Sequence, residues 1–221
     1  MSKPEFRLST QERKAKGIDM KKILCLLLAL TCVFSLFACK SEVDEMGAFV
    51  QTVAASSATK VTTLYSLTTE GGEVFNGNFT TEIDGVNSVT TYKYERYATL
   101  EEAAESYIVE VAGTVYYKDG KYSEDGENWF AEVPDTGAIS IKFDLKTENL
   151  GTYELLNGGK TLMATLTAEQ AKAVLGTDVN ASGSVSMTVK TNGKYLTSVS
   201  VTYKTANNAT VVLDTSYTYN A

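Results

Sequence analysis

Val185-Ser186-Met187-Thr188-Val189-Lys190-Thr191-Asn192-Gly193-Lys194-Tyr195-Leu196-Thr197-Ser198-Val199-Ser200-Val201-Thr202-Tyr203 is the stretch that decides the fold. Val185, Met187 and Val189 alternate with Ser and Thr, the period of a strand with one buried face. Asn192-Gly193 readily supplies two successive positive φ angles, so the chain doubles back there as a hairpin. The returning run places Tyr195, Val199, Val201 and Tyr203 in one inner row. Asn207-Asn208 turns the chain again, and Val211, Leu213, Tyr217 and Tyr219 form the inner row of a last strand. Three alternating segments in succession define an antiparallel sheet, covered on one face and wet on the other.

The same period extends back to Thr59. Val61, Thr63, Tyr65 and Leu67 share one side of a strand, and Gly71-Gly72 turns it. Further strands are expected over about 73–83, 86–97, 107–118 and 160–166, punctuated by Asp84-Gly85, Asp119-Gly120 and Asp125-Gly126, with Trp129 closing that segment. Thr, Val, Tyr and Phe dominate these runs, as suits a pleated, half-buried surface. Pro134 to Gly137 reads as a loop, and 139–155 fits strand and helix comparably.

Three helices complete the pattern. Met46, Phe49, Val50, Val53 and Ala54 recur at helical spacing over about 44–57, with Asp44 and Glu45 at the end where the dipole favours acids. Thr99-Leu100-Glu101-Glu102 and Thr167-Ala168-Glu169-Gln170 both have capping-box spacing, and Gly176 is a natural stop for the second. The fold class is therefore α+β. A curved antiparallel sheet of seven or more strands, an incomplete barrel, is covered by the N-terminal helix and one or two short helices.

Residues 20–38 are an address. Met20-Lys21-Lys22 precedes an apolar run from Ile23 to Ala38, the form of a secretory signal. The run is short for a membrane span, which needs roughly 20 apolar residues. It ends at Leu36-Phe37-Ala38-Cys39, which resembles the bacterial lipobox. The resemblance implies that the Cys39 thiol receives a diacylglyceryl group, with palmitate-type chains, and that the leader is cut before it. An ordinary signal peptide with a chance Cys is the alternative. Residues 1–19 are polar and fit poorly before a leader. Met20 as the true start is one reading, and a cytoplasmic extension before an uncleaved anchor the other. The expected organisation is 1–19 extension, 20–38 signal peptide, 39–43 lipidated tether and 44–221 one half-barrel domain.

Charge and residue types then limit function. The chain of 221 residues carries a net charge of −7. Removing the seven Lys/Arg and three Asp/Glu of residues 1–38 leaves 13 basic and 24 acidic residues, a net −11. Such a body has no footprint for nucleic acid and is repelled by anionic lipid. Cys25 and Cys32 leave with the leader, so the exported part holds no disulfide. The absence of His removes Ser-His-Asp and Cys-His nucleophiles and most zinc sites. Carboxylates cluster at Glu101-Glu102, Glu124-Asp125-Glu127 and Asp144-Glu148, where a solvated acidic surface is a simpler account than paired glycosidase acids. Asp119 to Asp125 lacks the register of a calcium loop. No catalytic residue, metal or cofactor is expected, and the chain reads as a non-enzyme.

The order of elements, lipobox, helix, meander, Val115-Tyr116-Tyr117-Lys118-Asp119-Gly120-Lys121-Tyr122 leading to Trp129, the helix near 167–176 and a closing meander, resembles small bacterial lipoproteins of the LolA/LolB-like superfamily. The leader and the acidic, Tyr/Thr-rich body resemble the Firmicute-type members. The resemblance implies an incomplete barrel around an apolar cavity that holds acyl chains or lipidated cargo. In such a cell there is no outer membrane, so sorting lipoproteins to one is not the task. The soluble carrier of the superfamily has no lipobox, and the anchored relatives fit better.

Tyrosine is the most informative excess, with all thirteen beyond Cys39. Aromatic rings with a polar tip suit a ligand groove or a protein interface, and plain core and cross-strand packing is the simpler account of them. The ligand-binding candidates are Tyr65, Tyr94, Tyr117, Tyr203 and Tyr217. The expected function is a lipoprotein on the extracytoplasmic face of the cell membrane, its partner the membrane through a diacylglyceryl anchor. Its ligand would be a lipid or other hydrophobic molecule on the concave sheet face. The alternative is a cell-surface interaction or structural module whose core is filled by its own side chains.

Overall fold

The structure, a computed structural model, describes residues 42–98, 107–132, 134, 143–176 and 179–220. Cys39, the leader, the Thr99–Glu102 capping box, residues 135–137 of the expected loop and 139–142 of the ambiguous stretch lie outside the described residues. Among the described residues ten strands form one open antiparallel sheet: β1 Lys60–Thr68, β2 Val74–Asp84, β3 Asn87–Tyr97, β4 Ile108–Lys118, β5 Lys121–Ser123, β6 Thr152–Leu156, β7 Thr161–Leu166, β8 Val185–Thr191, β9 Leu196–Lys204 and β10 Thr210–Thr218. Their spatial order is β5-β4-β3-β2-β1-β10-β9-β8-β7-β6. Two five-stranded meanders thus meet at a seam between the first strand and the last. This is the α+β curved sheet that the alternation predicts, with more strands than the seven counted as a minimum.

Two helices accompany the sheet among the described residues, α1 Glu42–Ala54 and α2 Ala168–Leu175. Met46, Phe49 and Val53 of α1 are buried on one stripe, as their spacing requires. The Ser56 hydroxyl beyond α1 donates to Thr52 O at 2.8 Å and accepts from Leu196 N at 2.8 Å, fixing the end of the helix to the start of β9. In α2 the capping box forms in full: Thr167 Oγ1 accepts from Gln170 N, and Gln170 Oε1 accepts from Thr167 N. Ala171, Val174 and Leu175 face the core. The described part of 139–155 is a 3-10 turn, Thr147–Asn149, followed by β6, so strand wins there at the C-terminal end.

The turns set register. Asp119 and Gly120, both at positive φ (51° and 79°), join Lys118 to its partner Lys121 in the two-residue loop expected of Asp-Gly. At Asp84-Gly85 the central pair is Gly85-Val86, since Asp84 still pairs with Asn87. Asn192-Gly193 departs further from expectation. Thr191 pairs with Leu196 and Lys190 with Ser198, leaving Thr197 unopposed in a bulge. The Asn192 side chain accepts from Lys194 N and Tyr195 N and widens the loop to four residues. The inner row of β9 therefore begins at buried Leu196, and Tyr195 leaves it to stack on Tyr219 at 4.5 Å. A bulge changes the parity on which the sequence reading of Tyr195 rests.

The core is one cluster of α1, α2 and the helix-facing residues of β7 to β10. Leu213 is fully buried, whereas Leu64 is 53% exposed on the opposite face of the seam. Leu213→Ala is expected to lower the unfolding free energy by about 2–5 kcal/mol in urea melts, because it leaves a cavity that the sheet cannot close. Leu64→Ala is expected to change it by less than about 0.5 kcal/mol.

Candidate functional site

The helix-bearing face of the sheet is filled unequally. On β7 to β10 its residues are buried: Leu162, Ala164, Met187, Val199, Val201 and Leu213 among them. Across the seam, on β1 to β4, the same face carries the buried rings of Phe75 and Phe79 and the half-buried rings of Tyr65, Tyr92 and Tyr94. Tyr65, Gly77, Tyr94 and Val111 lie in one cross-strand row. Thr63, Phe79, Tyr92 and Gly113 lie in the next. Each of these two rows holds two aromatic rings and one glycine.

The glycines shape the surface. A methyl group at Gly77 would stand 3.0 Å from Tyr94 Cβ, 3.1 Å from the Phe79 ring and 3.3 Å from the Tyr65 ring. One at Gly113 would stand 2.6 Å from Tyr92 Cζ. The rings thus lie down over bare backbone rather than standing away from it. Phe79 stacks on Tyr94 with centroids 6.1 Å apart, and Tyr92 tilts against Tyr94 at the same distance. Hydroxyl pairs border this floor: Thr63 with Thr215 and Thr81 with Thr90, each at 2.9 Å. The result is a shallow apolar floor with polar tips.

Burial pushes the Tyr65 hydroxyl up to about 12, with a smaller contribution from Tyr203. Burial does the same to Tyr217, also to about 12, with Tyr219 adding to it. Tyr92 is raised by desolvation first and by Glu124 second. Tyr97 is also held at about 12, chiefly because its hydroxyl donates to the Glu73 carboxylate. These phenols stay neutral through the physiological range and act as hydrogen-bonding groups.

The five tyrosines singled out from sequence are not one cluster. Tyr65 and Tyr94 flank Gly77 on the aromatic floor, and Tyr65 also packs against the core. Tyr203 is 3% exposed and belongs to the core, and Tyr217 packs against the same core from the seam. Tyr117 sits at another end of the sheet, against Tyr122 at 5.0 Å. Phe79 and Tyr92 join the floor without having been candidates, and their odd and even positions on strands joined by a two-residue loop were the available signal. Of the acidic clusters, Asp125 has a role of its own. Its carboxylate accepts from Asn128 N and Nδ2, from Glu127 N and from Ser123 Oγ. The Asn128 backbone bond above all holds its pKa well below the usual carboxylate range. Both oxygens are spent on closing their own turn. Asp144 pairs with Lys146 at 2.9 Å, and Glu101-Glu102 lie outside the described residues. Among the described residues no three His, Cys, Asp or Glu side chains gather as a metal site, and no helix is long and apolar enough to cross a membrane.

No family model matches the chain, and no curated protein is similar to it in sequence. Among solved structures, an S-type phycobiliprotein lyase from Guillardia theta aligns at 10% identity and a TM-score of 0.31, over 82% of this chain and 99% of its own. A LolA superfamily protein from Nitrosomonas europaea aligns at 9% identity and a TM-score of 0.35, over 80% of this chain and 93% of its own. The second carries the superfamily name that the sequence pattern resembles, at an overlap too low to argue from.

Two outcomes follow from this geometry. Unfolded tyrosine ionises near about 10, while Tyr65 and Tyr217 keep their protons to about 12 in the fold. Their contribution to stability is complete below the unfolded value and is lost as pH rises through the folded one. Chemical denaturation between those pH values is expected to show falling stability, less steep in Tyr217→Phe. Gly113→Ala is expected to destabilise less in a Tyr92→Ala background than alone, a coupling of about 1 kcal/mol in a double-mutant cycle.

Proposed function

We propose that the chain is a membrane-anchored lipoprotein on the extracytoplasmic face of the cell membrane, tethered through Cys39, which binds an apolar or amphiphilic ligand on the aromatic half of its helix-bearing sheet face. One observation carries the binding part: the same face is fully buried on β7 to β10 and only half-covered over Tyr65, Tyr92 and Tyr94. A flat apolar floor gains about 25 cal/mol for each Å² it removes from water together with a ligand. About 200 Å² of acyl chain laid on it is worth about 5 kcal/mol on that scale, before the costs of association. The Thr hydroxyl pairs and Tyr tips give the polar end of an amphiphile somewhere to bond.

The anchor rests on the sequence. Leu36-Phe37-Ala38-Cys39 supplies the thiol after an apolar leader. Two acyl chains hold a protein stably where one does not. The body beyond Cys39, at net −11, stands away from an anionic surface, leaving the sheet face open to ligand. We read the activity as binding rather than catalysis, because Asp125 spends both carboxylate oxygens on its own turn and Asp144 pairs with Lys146 at the surface.

A second reading has its own observation. The rings over Gly77 and Gly113 fill part of the space those glycines leave. A face filled by its own side chains would serve as an interaction or structural module.

The test uses the full chain expressed in a bacterium. Metabolic labelling with palmitate is expected to mark the wild type and not Cys39→Ala, and equal labelling refutes the anchor. Native mass spectrometry after exposure to fatty acid is expected to show retained ligand, bound about tenfold more weakly by Tyr94→Ala. Retention of none by the wild type overturns the binding reading in favour of the module.

A further inference from the structure

A second opening lies away from the aromatic floor. It is a cleft of about 900 Å³ where the start of β1, the hairpin of β2 and β3, the end of β4 and the turn after β5 come together. That volume is within the range of small-molecule sites. Tyr116 and Trp129 line it, with Val89, the cross-strand partner of Tyr116; Tyr117 and Ile83 also line it, from the opposite face of their strands. Gly126 sits where a methyl group would touch the Tyr116 ring at 3.8 Å, so the Asp125 turn carries Trp129 round to the same side as Tyr116. This is what the Asp125 network achieves: it fixes a turn that forms one wall of the cleft.

The other wall is polar. Lys60 and Glu82 pair across it at 3.3 Å, and Asp84, Asn87 and Lys118 also line it. Asn87 Oδ1 is buried with no hydrogen-bond partner among the described residues, a cost that a turn of the amide toward an incoming donor would remove. Both signs of charge are present and the carboxylates outnumber the lysines, so an anionic ligand gains nothing here. The polar residues and the openness to water disfavour an acyl chain.

The geometry points to this cleft as a second binding site, for a neutral saccharide. Aromatic faces take the C–H faces of sugar rings. Carboxylate acceptors, ammonium donors and an amide that does both match hydroxyl groups that donate and accept side by side. Phosphorylated ligands lack the cationic surplus they need, and hydrocarbon lacks enclosure.

Trp129 is the sole tryptophan, so its emission reports on this wall alone. The full chain is titrated separately with cellotetraose, maltotetraose and chitotetraose up to about 10 mM, the range of weak single-site affinities. At least one sugar is expected to change Trp129 emission saturably, confirmed by calorimetry. Tyr116→Ala and Asp84→Ala are each expected to weaken that sugar about tenfold or more, with unchanged circular dichroism. Tyr94→Ala, on the aromatic floor, is expected to leave it unaltered. No saturable response to any of the three sugars overturns the proposal. So does a response that survives both cleft variants, or one that fatty acid elicits and the sugars do not.

Discussion

Pairing of β1 with β10 is the constraint on which the rest depends. Nine residue pairs, from Lys60↔Thr218 to Thr68↔Thr210, join segments about 150 residues apart in the chain. Without that ladder the chain is two separate meanders, each with an apolar face and no partner to continue it. The seam also holds a polar contact, Thr63 with Thr215, on the buried side, where an unpaired hydroxyl is costly. Loop closure over such a distance is entropically expensive. The seam runs beside the buried Leu213 and Val211.

On one side of the seam, helices supply the partner that a one-sided sheet needs. α1 reaches β9 through Ser56, and the bulge at Thr197 gives that hydroxyl a free backbone N–H at Leu196. The Tyr219 hydroxyl donates to Leu196 O at 2.6 Å, so the irregular end of β9 is satisfied from both the helix and the C-terminal strand. On the other side, among the described residues, aromatic rings and glycines line the face. Rings lying over Gly77 and Gly113 cover backbone without building thickness. The two halves of one sheet thus end up as a packed core and a shallow floor, and that asymmetry is what gives the molecule a surface to use.

Much of the candidate site was legible in part. Tyr65 and Tyr94 could be placed on the inner side of their strands by parity alone. Their meeting over Gly77 needs the register of three strands at once, which parity within one strand does not supply. Tyr203 falls into the core and Tyr217 packs against it, because residues of α1 and α2 cluster on that half of the sheet. Tyr117 is separated from the others by its distance along β4, a matter of where each strand begins. The role of Asp125 was hidden because an acidic cluster in sequence does not reveal which oxygens its own turn consumes.

The sequence by itself determined the class of structure. Period-two alternation, Gly- and Asn-containing turns and the Thr167–Gln170 capping box are local signals, each requiring only a few neighbouring residues, and they yielded strands, hairpins and a helix close to where they stand. Tertiary structure alone decided the strand order that puts β1 against β10, the bulge that moves Tyr195 out of the inner row, and which half of the sheet the helices cover. These depend on contacts between residues far apart in the chain, where several arrangements satisfy the same local pattern. Packing density and hydrogen-bond satisfaction across the whole sheet select one of them.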